Sequence, residues 1–485
     1  MRPETNTLLE PNPREISRRL LARGDEGIQE VPFLNLMAAS WIQFMTHDWF
    51  SHGPNQSANP IQVPLASDDP LRAHGLTTLP IGRTMGDPSR RLLSDRSLPT
   101  TFVNEVTHWW DGSQIYGSDA TTAKRLRTMS GGRLRTQDNG SLPLGSNGVE
   151  DTGFNRNWWV GLSMLHQLWL QEHNTIADML KARYPSWNDQ RLYDTARLIN
   201  SALIAKIHTI EWTPAILPNE TLAQAMDSNW HGLFAGLENV GITFDSSLLF
   251  GIVGNSRDLS GVPFSMPEEF VSVYRMHPLM PESISIQPIG ANAPTEEIPL
   301  PATREAQAHL ITERIPMADL FHSFGVSHPG ALVLNNYPAF LQDLELPDGQ
   351  FVDMGTIDLI RERERGVPRY NEFRRQMQLL PLNSFSQLTD DAEIVAELED
   401  LYDGDIEKLD LMIGMFAEAH RPTNFGFGET AFQVFILIAS RRLHADRFYT
   451  DSYNAETYTQ AGLDWIENNS MKSVLLRHFP SLGAT

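Results

Sequence analysis

The sequence predicts a mainly α protein built as a single large helical domain with long loops and few short strands. Apolar residues recur at three- and four-residue spacing over long stretches, while strand signals are few and brief. The segments between helices are long and irregular, yet 41% of the 485 residues are hydrophobic, enough for a large core under those loops.

In chain order, residues 1–30 read as an N-terminal tail and 31–480 as the domain. Residues 34–49 open the first apolar helix. Residues 158–183 and 190–216 continue the helical pattern. A loop at 263–267 leads into a helix over 268–277 that Pro278 stops. Residues 430–442 form another strongly apolar helix. Residues 283–287 and 350–352 read as short strands, and 53–99 and 129–153 as the longest loops.

A net charge of -22 argues against a nucleic-acid partner, because phosphate binding needs a basic footprint. It gives no electrostatic help toward anionic lipid headgroups either. With no cysteine there are no disulfides, thiolate nucleophiles, iron–sulfur clusters or thiolate-held zinc. The first residues lack the apolar core of a signal peptide, and no stretch reaches the roughly 20 apolar residues of a membrane span. The expectation is a cytoplasmic monomer, with peripheral contact to a membrane surface left open.

Three segments carry chemistry. In Tyr274-Arg275-Met276-His277 the histidine is the candidate iron ligand, since neutral imidazole suits haem iron and no thiolate competes. On the expected helix Tyr274 shares a face with His277, beside any macrocycle that His277 holds. In the first helix, Gln43 and His47 are four residues apart and point the same way. A histidine with a glutamine neighbour can hold and deprotonate a peroxide. Around Asp111, the oxygens of Thr107, Asp111, Ser113 and the Trp109 carbonyl are spaced to wrap a hard cation such as calcium. Asp48 adds a second carboxylate and would tie the His47 helix to that loop.

Together with LWLQEHNTIADML (168–180), RERERGVPRYNEFRR (361–375) and FGFGETAFQVFILIASRRLHADRF (425–448), these segments resemble the animal haem peroxidase/cyclooxygenase superfamily, over about residues 30–480. Tyrosine three residues before the proximal histidine, followed by Pro-Leu-Met-Pro, looks like its fatty-acid dioxygenases. ALIAKIHTIEWT (202–213), NWWVGLSMLHQLWLQEHN (157–174) and SRRLHADRFYT (440–450) look like the α-dioxygenases. The resemblance implies a peroxidase-like helical fold and a haem b held by His277. The positions that bind haem covalently in some mammalian peroxidases here hold Thr46 and Trp158 or Trp159, so the haem is expected to be non-covalent. The peroxidases' distal arginine falls at Asn155 or Arg156, and Asp358 stands where an asparagine orients the proximal histidine. A carboxylate there makes the histidine more basic.

The resemblance also implies the reaction. Peroxide is the activator and His47 its proton acceptor. Tyr274 becomes a phenoxyl radical, takes a hydrogen from C2 of a fatty acid, and O2 adds there to give the 2-hydroperoxide. His208, Thr213 and an arginine of the Arg441-Arg442 pair hold the carboxylate, and the sequence leaves open which arginine it is. Two other readings stand beside this one: a haem peroxidase oxidising small organic substrates, and a non-catalytic haem scaffold.

Overall fold

The computed structural model describes residues 4, 6–89, 100–231, 264–346 and 348–484. Its elements that position the site are α1 (Met37–Trp49), α2 (Val160–Arg183), α3 (Asp189–Ile207), α4 (Glu268–Val273), α5 (Met354–Arg365) and α6 (Glu429–Ala445). Three two-stranded antiparallel ribbons accompany them: β1 (Gln56–Pro64) with β2 (Thr78–Arg83), β3 (Ser283–Ile286) with β4 (Glu296–Pro299), and β5 (Leu344–Glu345) with β6 (Phe351–Val352). The expected mainly helical fold with few short strands is the one observed.

α1 buries most of its surface, from Ala38 and Trp41 to Phe44, Met45 and Trp49, while Gln43 and Thr46 on its cleft side are partly exposed. A helix this deeply buried belongs in the centre of a large protein. It packs on α2, which α3 covers in turn. One continuous core runs from Ile16 to Val474, with smaller clusters under the β1–β2 ribbon and against the C-terminal helices. Among the described residues no helix is long and apolar enough to cross a membrane.

Four differences from the sequence reading matter. The first thirty residues do not behave as a tail. Ile16, Leu20 and Leu21 enter the main core, and buried Arg14 pairs with Asp69 at 2.7 Å and Asp353 at 2.6 Å. The stretch 53–99 contains the β1–β2 ribbon, hidden from a period-two search by Pro60, Pro64 and Pro80 and by a register shift between Gln56 and Ile61; its residues 90–99, like residue 263 of the loop before α4, lie outside the described residues. The helix expected over 190–216 is interrupted after Ile207 by a wide π turn, His208–Trp212, before a short helix Thr213–Ile216. Pro214 supplies the cause: it has no N–H, and its ring crowds the carbonyl one turn back, so the preceding turn widens. Finally, α4 ends at Val273, four residues short of His277.

Candidate active site

α4 stops at Val273, and the chain runs through an irregular turn before Pro278. Tyr274 is the C-cap, Met276 has ψ 36°, and His277 opens a 3-10 turn ending at Leu279. The argument that Tyr274 and His277 share a helix face therefore fails. They nevertheless line one cleft of about 710 Å³, facing Gln43 and His47 of α1.

On the proximal side, His277 Nδ1 lies 2.8 Å from Asp358 Oδ2. Asp358 is on α5, fully buried, with the Tyr337 hydroxyl donating to Oδ2 at 3.2 Å and the Arg275 guanidinium 2.8 Å from Oδ1. Burial pushes the Asp358 carboxyl up, but Arg275, His277 and Tyr337 outweigh it and hold the group below its ordinary range. An ionised Asp358 must accept, so His277 Nδ1 donates and its Nε2 lone pair is left for the cleft.

On the distal side, burial drives His47 down to about 3. It stands as a neutral imidazole on the cleft wall. Its ring lies 4.5 Å from that of Phe154, and Nδ1 has no partner among the described residues. Gln43 is more committed than its spacing suggested. The Trp159 indole donates to its Oε1 at 2.7 Å, and its Nε2 donates to the Asn157 carbonyl at 3.1 Å. One amide hydrogen remains, so Gln43 braces the distal wall. Arg156 reaches the cleft rim, half exposed and paired with Glu105 at 3.1 Å, while Asn155 donates to the Glu150 carbonyl.

The substrate-anchoring candidates meet around Trp49. Its ring centroid lies 5.4 Å from those of Tyr274 and His208, and 4.4 Å from Cζ of Arg442. Arg442 is 1% exposed and lies equally close to Trp110, whereas Arg441 is only half-buried. The structure thus puts Arg442, of the two, beside Tyr274 and His208. Trp41 can only donate, and its indole lies 3.1 Å from His208 Nδ1, so the neutral ring carries its hydrogen on Nε2. Burial, reinforced by Arg442, holds His208 well below its ordinary pKa. His208 Nε2, Arg442 Nε and Nη2 and the Tyr274 hydroxyl are all buried without a hydrogen-bond partner among the described residues. Such orphaned groups cost about 1–3 kcal/mol each and are rare unless a ligand satisfies them. Thr213 is turned inward: its hydroxyl donates to the His208 carbonyl at 2.9 Å, the oxygen its own N–H also reaches across the π turn.

In the 107–113 segment, well after the β1–β2 ribbon, Ser113 donates its N–H to Asp48 Oδ1 at 2.6 Å and to Asp111 Oδ1 at 3.1 Å, and its hydroxyl to Asp48 Oδ1 at 2.8 Å. Burial first, and then the charge of Asp111, push Asp48 up. The Thr107 hydroxyl accepts from the Trp109 N–H at 3.4 Å. Among the described residues no three acids or histidines gather as a metal cluster, so any cation here would rest on two carboxylates with hydroxyl and carbonyl oxygens.

Sequence reasoning missed Trp41, Trp49, Trp110, Arg275 and Tyr337. Arg275 sits inside the YRMH tetrapeptide and was open to suspicion. The three tryptophans read only as core.

The animal haem peroxidase family model matches residues 1–485. α-Dioxygenase 2 of Arabidopsis thaliana is 39% identical, covering 98% of this chain and 76% of that protein; α-dioxygenase PIOX of Nicotiana tabacum is 40% identical, covering 98% and 75%. The crystal structure of the Arabidopsis thaliana fatty acid α-dioxygenase superposes with TM-score 0.90 at 36% identity, over 100% of this chain and 77% of that one. A second, of the Oryza sativa enzyme with palmitic acid, gives 0.89 at 35%, over 100% and 81%. The chain belongs to the animal haem peroxidase family and, within it, to the α-dioxygenases.

Proposed function

We propose that the protein is a fatty-acid α-dioxygenase that adds O2 at C2 of a fatty acid to give the 2-hydroperoxide. The observation that carries the reading is the set of orphaned donors beside Tyr274. His208 Nε2 and the Arg442 guanidinium form a buried, cationic, hydrogen-donating corner, which suits a carboxylate. A carboxylate fixed there leaves only the nearest C–H bonds within reach of the Tyr274 oxygen, which sets the position of attack. Palmitic acid in the related rice structure supports the same class of substrate.

The cleft residues fit a haem. His277 presents Nε2 while Asp358 holds Nδ1, and His277 and His47 both line the cleft of about 710 Å³. When bound, haem supplies the iron that activates peroxide. The protein's part is to hold that iron through His277, to accept the peroxide proton at His47, to carry the radical at Tyr274 and to orient the acid at Arg442 and His208. Thr213 would join only by turning its hydroxyl away from the His208 carbonyl. Thr46, at the position of a covalent ester in some peroxidases, donates to the Gln43 carbonyl instead. Acid acetone is expected to extract all of the haem; haem that stays with the polypeptide would contradict non-covalent binding.

Incubation of the holoenzyme with palmitate or linoleate under O2 tests the activity. Mass spectrometry is expected to find the 2-hydroperoxide and its decarboxylation product, the aldehyde one carbon shorter. Guaiacol oxidation without fatty-acid-dependent O2 uptake would point to a peroxidase, and haem binding with no turnover to a scaffold.

The reading includes a calcium ion held by Asp48, Thr107, Asp111, Ser113 and the Trp109 carbonyl. Two neighbouring carboxylates joined through Ser113 are the support, since a cation relieves their repulsion. Calcium at a hundred times its dissociation constant is worth about 2.7 kcal/mol. For a chain of this size the melting temperature in calcium is therefore expected to exceed that in chelator by roughly 3 °C. Asp48→Asn should abolish this increment. Identical melting curves with and without calcium would remove the site.

A further inference from the structure

A series of aromatic residues leads from Tyr274 toward the protein surface, with one step made through a backbone carbonyl rather than by ring contact. Tyr274 and Trp49 are 5.4 Å apart between centroids, and Trp49 and Trp110 are 5.0 Å apart. The Tyr449 hydroxyl donates to the Trp110 carbonyl at 2.6 Å. The Trp230 ring lies 5.9 Å from Tyr449 and 5.8 Å from Tyr453, and these three are partly exposed. Indole and phenol are the side chains most easily oxidised by one electron. Left to itself, this path would let a radical formed at Tyr274 drain away to any reductant in solution.

Two features of the path oppose that. The first is Arg442, whose Cζ is 4.4 Å from the centroids of both Trp49 and Trp110. A cation is attracted to the electron-rich face of an indole. Removing an electron from either ring converts that attraction into repulsion between two positive charges, in a buried setting where screening is weak. The second is the lack of proton partners. Trp49 and Trp110 bury their indole N–H groups without an acceptor among the described residues, and the Tyr274 hydroxyl is likewise unpartnered. For the radical to leave, Trp49 must give one electron to the Tyr274 phenoxyl, which must also gain a proton to become a phenol. No neighbour takes the indole proton, so Trp49 would remain a cation against Arg442.

We propose that Arg442 insulates the radical as well as anchoring the substrate: its charge makes Trp49 and Trp110 hard to oxidise and so keeps the unpaired electron on Tyr274. The proposal rests on Tyr274 as the radical site. It also assigns a timing, because a bound carboxylate offsets the charge of Arg442. Insulation is strongest in the idle enzyme, when no substrate hydrogen is there to quench the radical.

The test is electron paramagnetic resonance of the haem-loaded enzyme, frozen at intervals after hydrogen peroxide is added without fatty acid. Samples with ring-deuterated tyrosine or tryptophan assign the signal. Wild type and Arg442→Lys are expected to give a long-lived tyrosyl signal. Arg442→Gln is expected to shorten its lifetime at least tenfold, with a tryptophanyl signal appearing. Arg442→Leu, which suits the aromatic surroundings if the glutamine variant does not fold, should do the same. Adding Trp49→Phe to either variant should restore the tyrosyl lifetime, because the first relay is then gone. Wild-type lifetimes in both variants, or a shortened lifetime that Trp49→Phe leaves unchanged, would overturn the proposal. A wild-type enzyme with no signal removable by Tyr274→Phe would instead sink the radical site itself, and the insulation with it.

Discussion

Tyr274→Phe is expected to abolish 2-hydroperoxide formation while leaving the haem absorption band and the fold intact. The ring is held by Trp49 at 5.4 Å, Phe270 at 4.7 Å and Phe435 at 6.1 Å, and phenylalanine keeps every one of those contacts. Only the hydroxyl is lost, and it is the one group at this position able to give up a hydrogen atom and later take one from carbon. A tyrosine serving the core alone would lose a hydrogen bond on substitution and about 1 kcal/mol with it. Here the hydroxyl is buried with no partner among the described residues, and burial holds its pKa well above the ordinary value. Removing an unsatisfied buried hydroxyl is neutral or stabilising. The expected pattern is thus activity lost and stability unchanged or raised. O2 uptake with a saturated fatty acid and a thermal melt decide it together. Uptake at the wild-type rate in Tyr274→Phe would exclude Tyr274 as the radical site.

Arg442→Gln is expected to weaken fatty-acid binding by roughly 30-fold to several thousand-fold, the range of about 2–5 kcal/mol for stripping one partner from a buried charge pair. Haem affinity should hold, because Arg442 does not line the cleft between His47 and His277. Arg441→Ala should cost far less, since only Arg442 stands beside Tyr274 and His208. Thr213→Ala should cost no more than about 1 kcal/mol, roughly fivefold, because its hydroxyl is already engaged with the His208 carbonyl. Competition by a fatty acid with no hydrogen at C2 reads affinity without turnover. Wild-type affinity in Arg442→Gln would move the anchor elsewhere.

The site was legible wherever chemistry lies in residue type and order. His277 and His47 follow from residue type and helical periodicity, Asp358 from the family resemblance, and the structure brings the two histidines to one cleft with Asp358 2.8 Å from His277. What was not legible depends on where backbone regularity breaks. A spacing of three suggested a shared helix face for Tyr274 and His277, but the helix ends at Val273 and the loop places both. Periodicity carried the helix of 190–216 straight through His208, because a π turn keeps the local composition of an α-helix. Arg441 and Arg442 differ by one position and 100° of rotation, too little for an apolar pattern to separate them. Trp41, Trp49 and Trp110 showed no functional signal because an indole that fixes a histidine tautomer or underlies a guanidinium has the composition of any core residue.

The π turn at His208–Trp212 has a genetic consequence. Such a turn is an α-helix with one residue inserted. Deleting a single codon within it would remove that insertion, but Pro214 has no N–H to give an ordinary helix, so the ladder would still break there. The same deletion would swing Thr213, and everything after it, by about 100° relative to His208. One mutational step can therefore dismantle the carboxylate corner, and it would also disturb the packing of the core that both sides of the turn share. The chemistry and the fold together keep that extra residue in the gene.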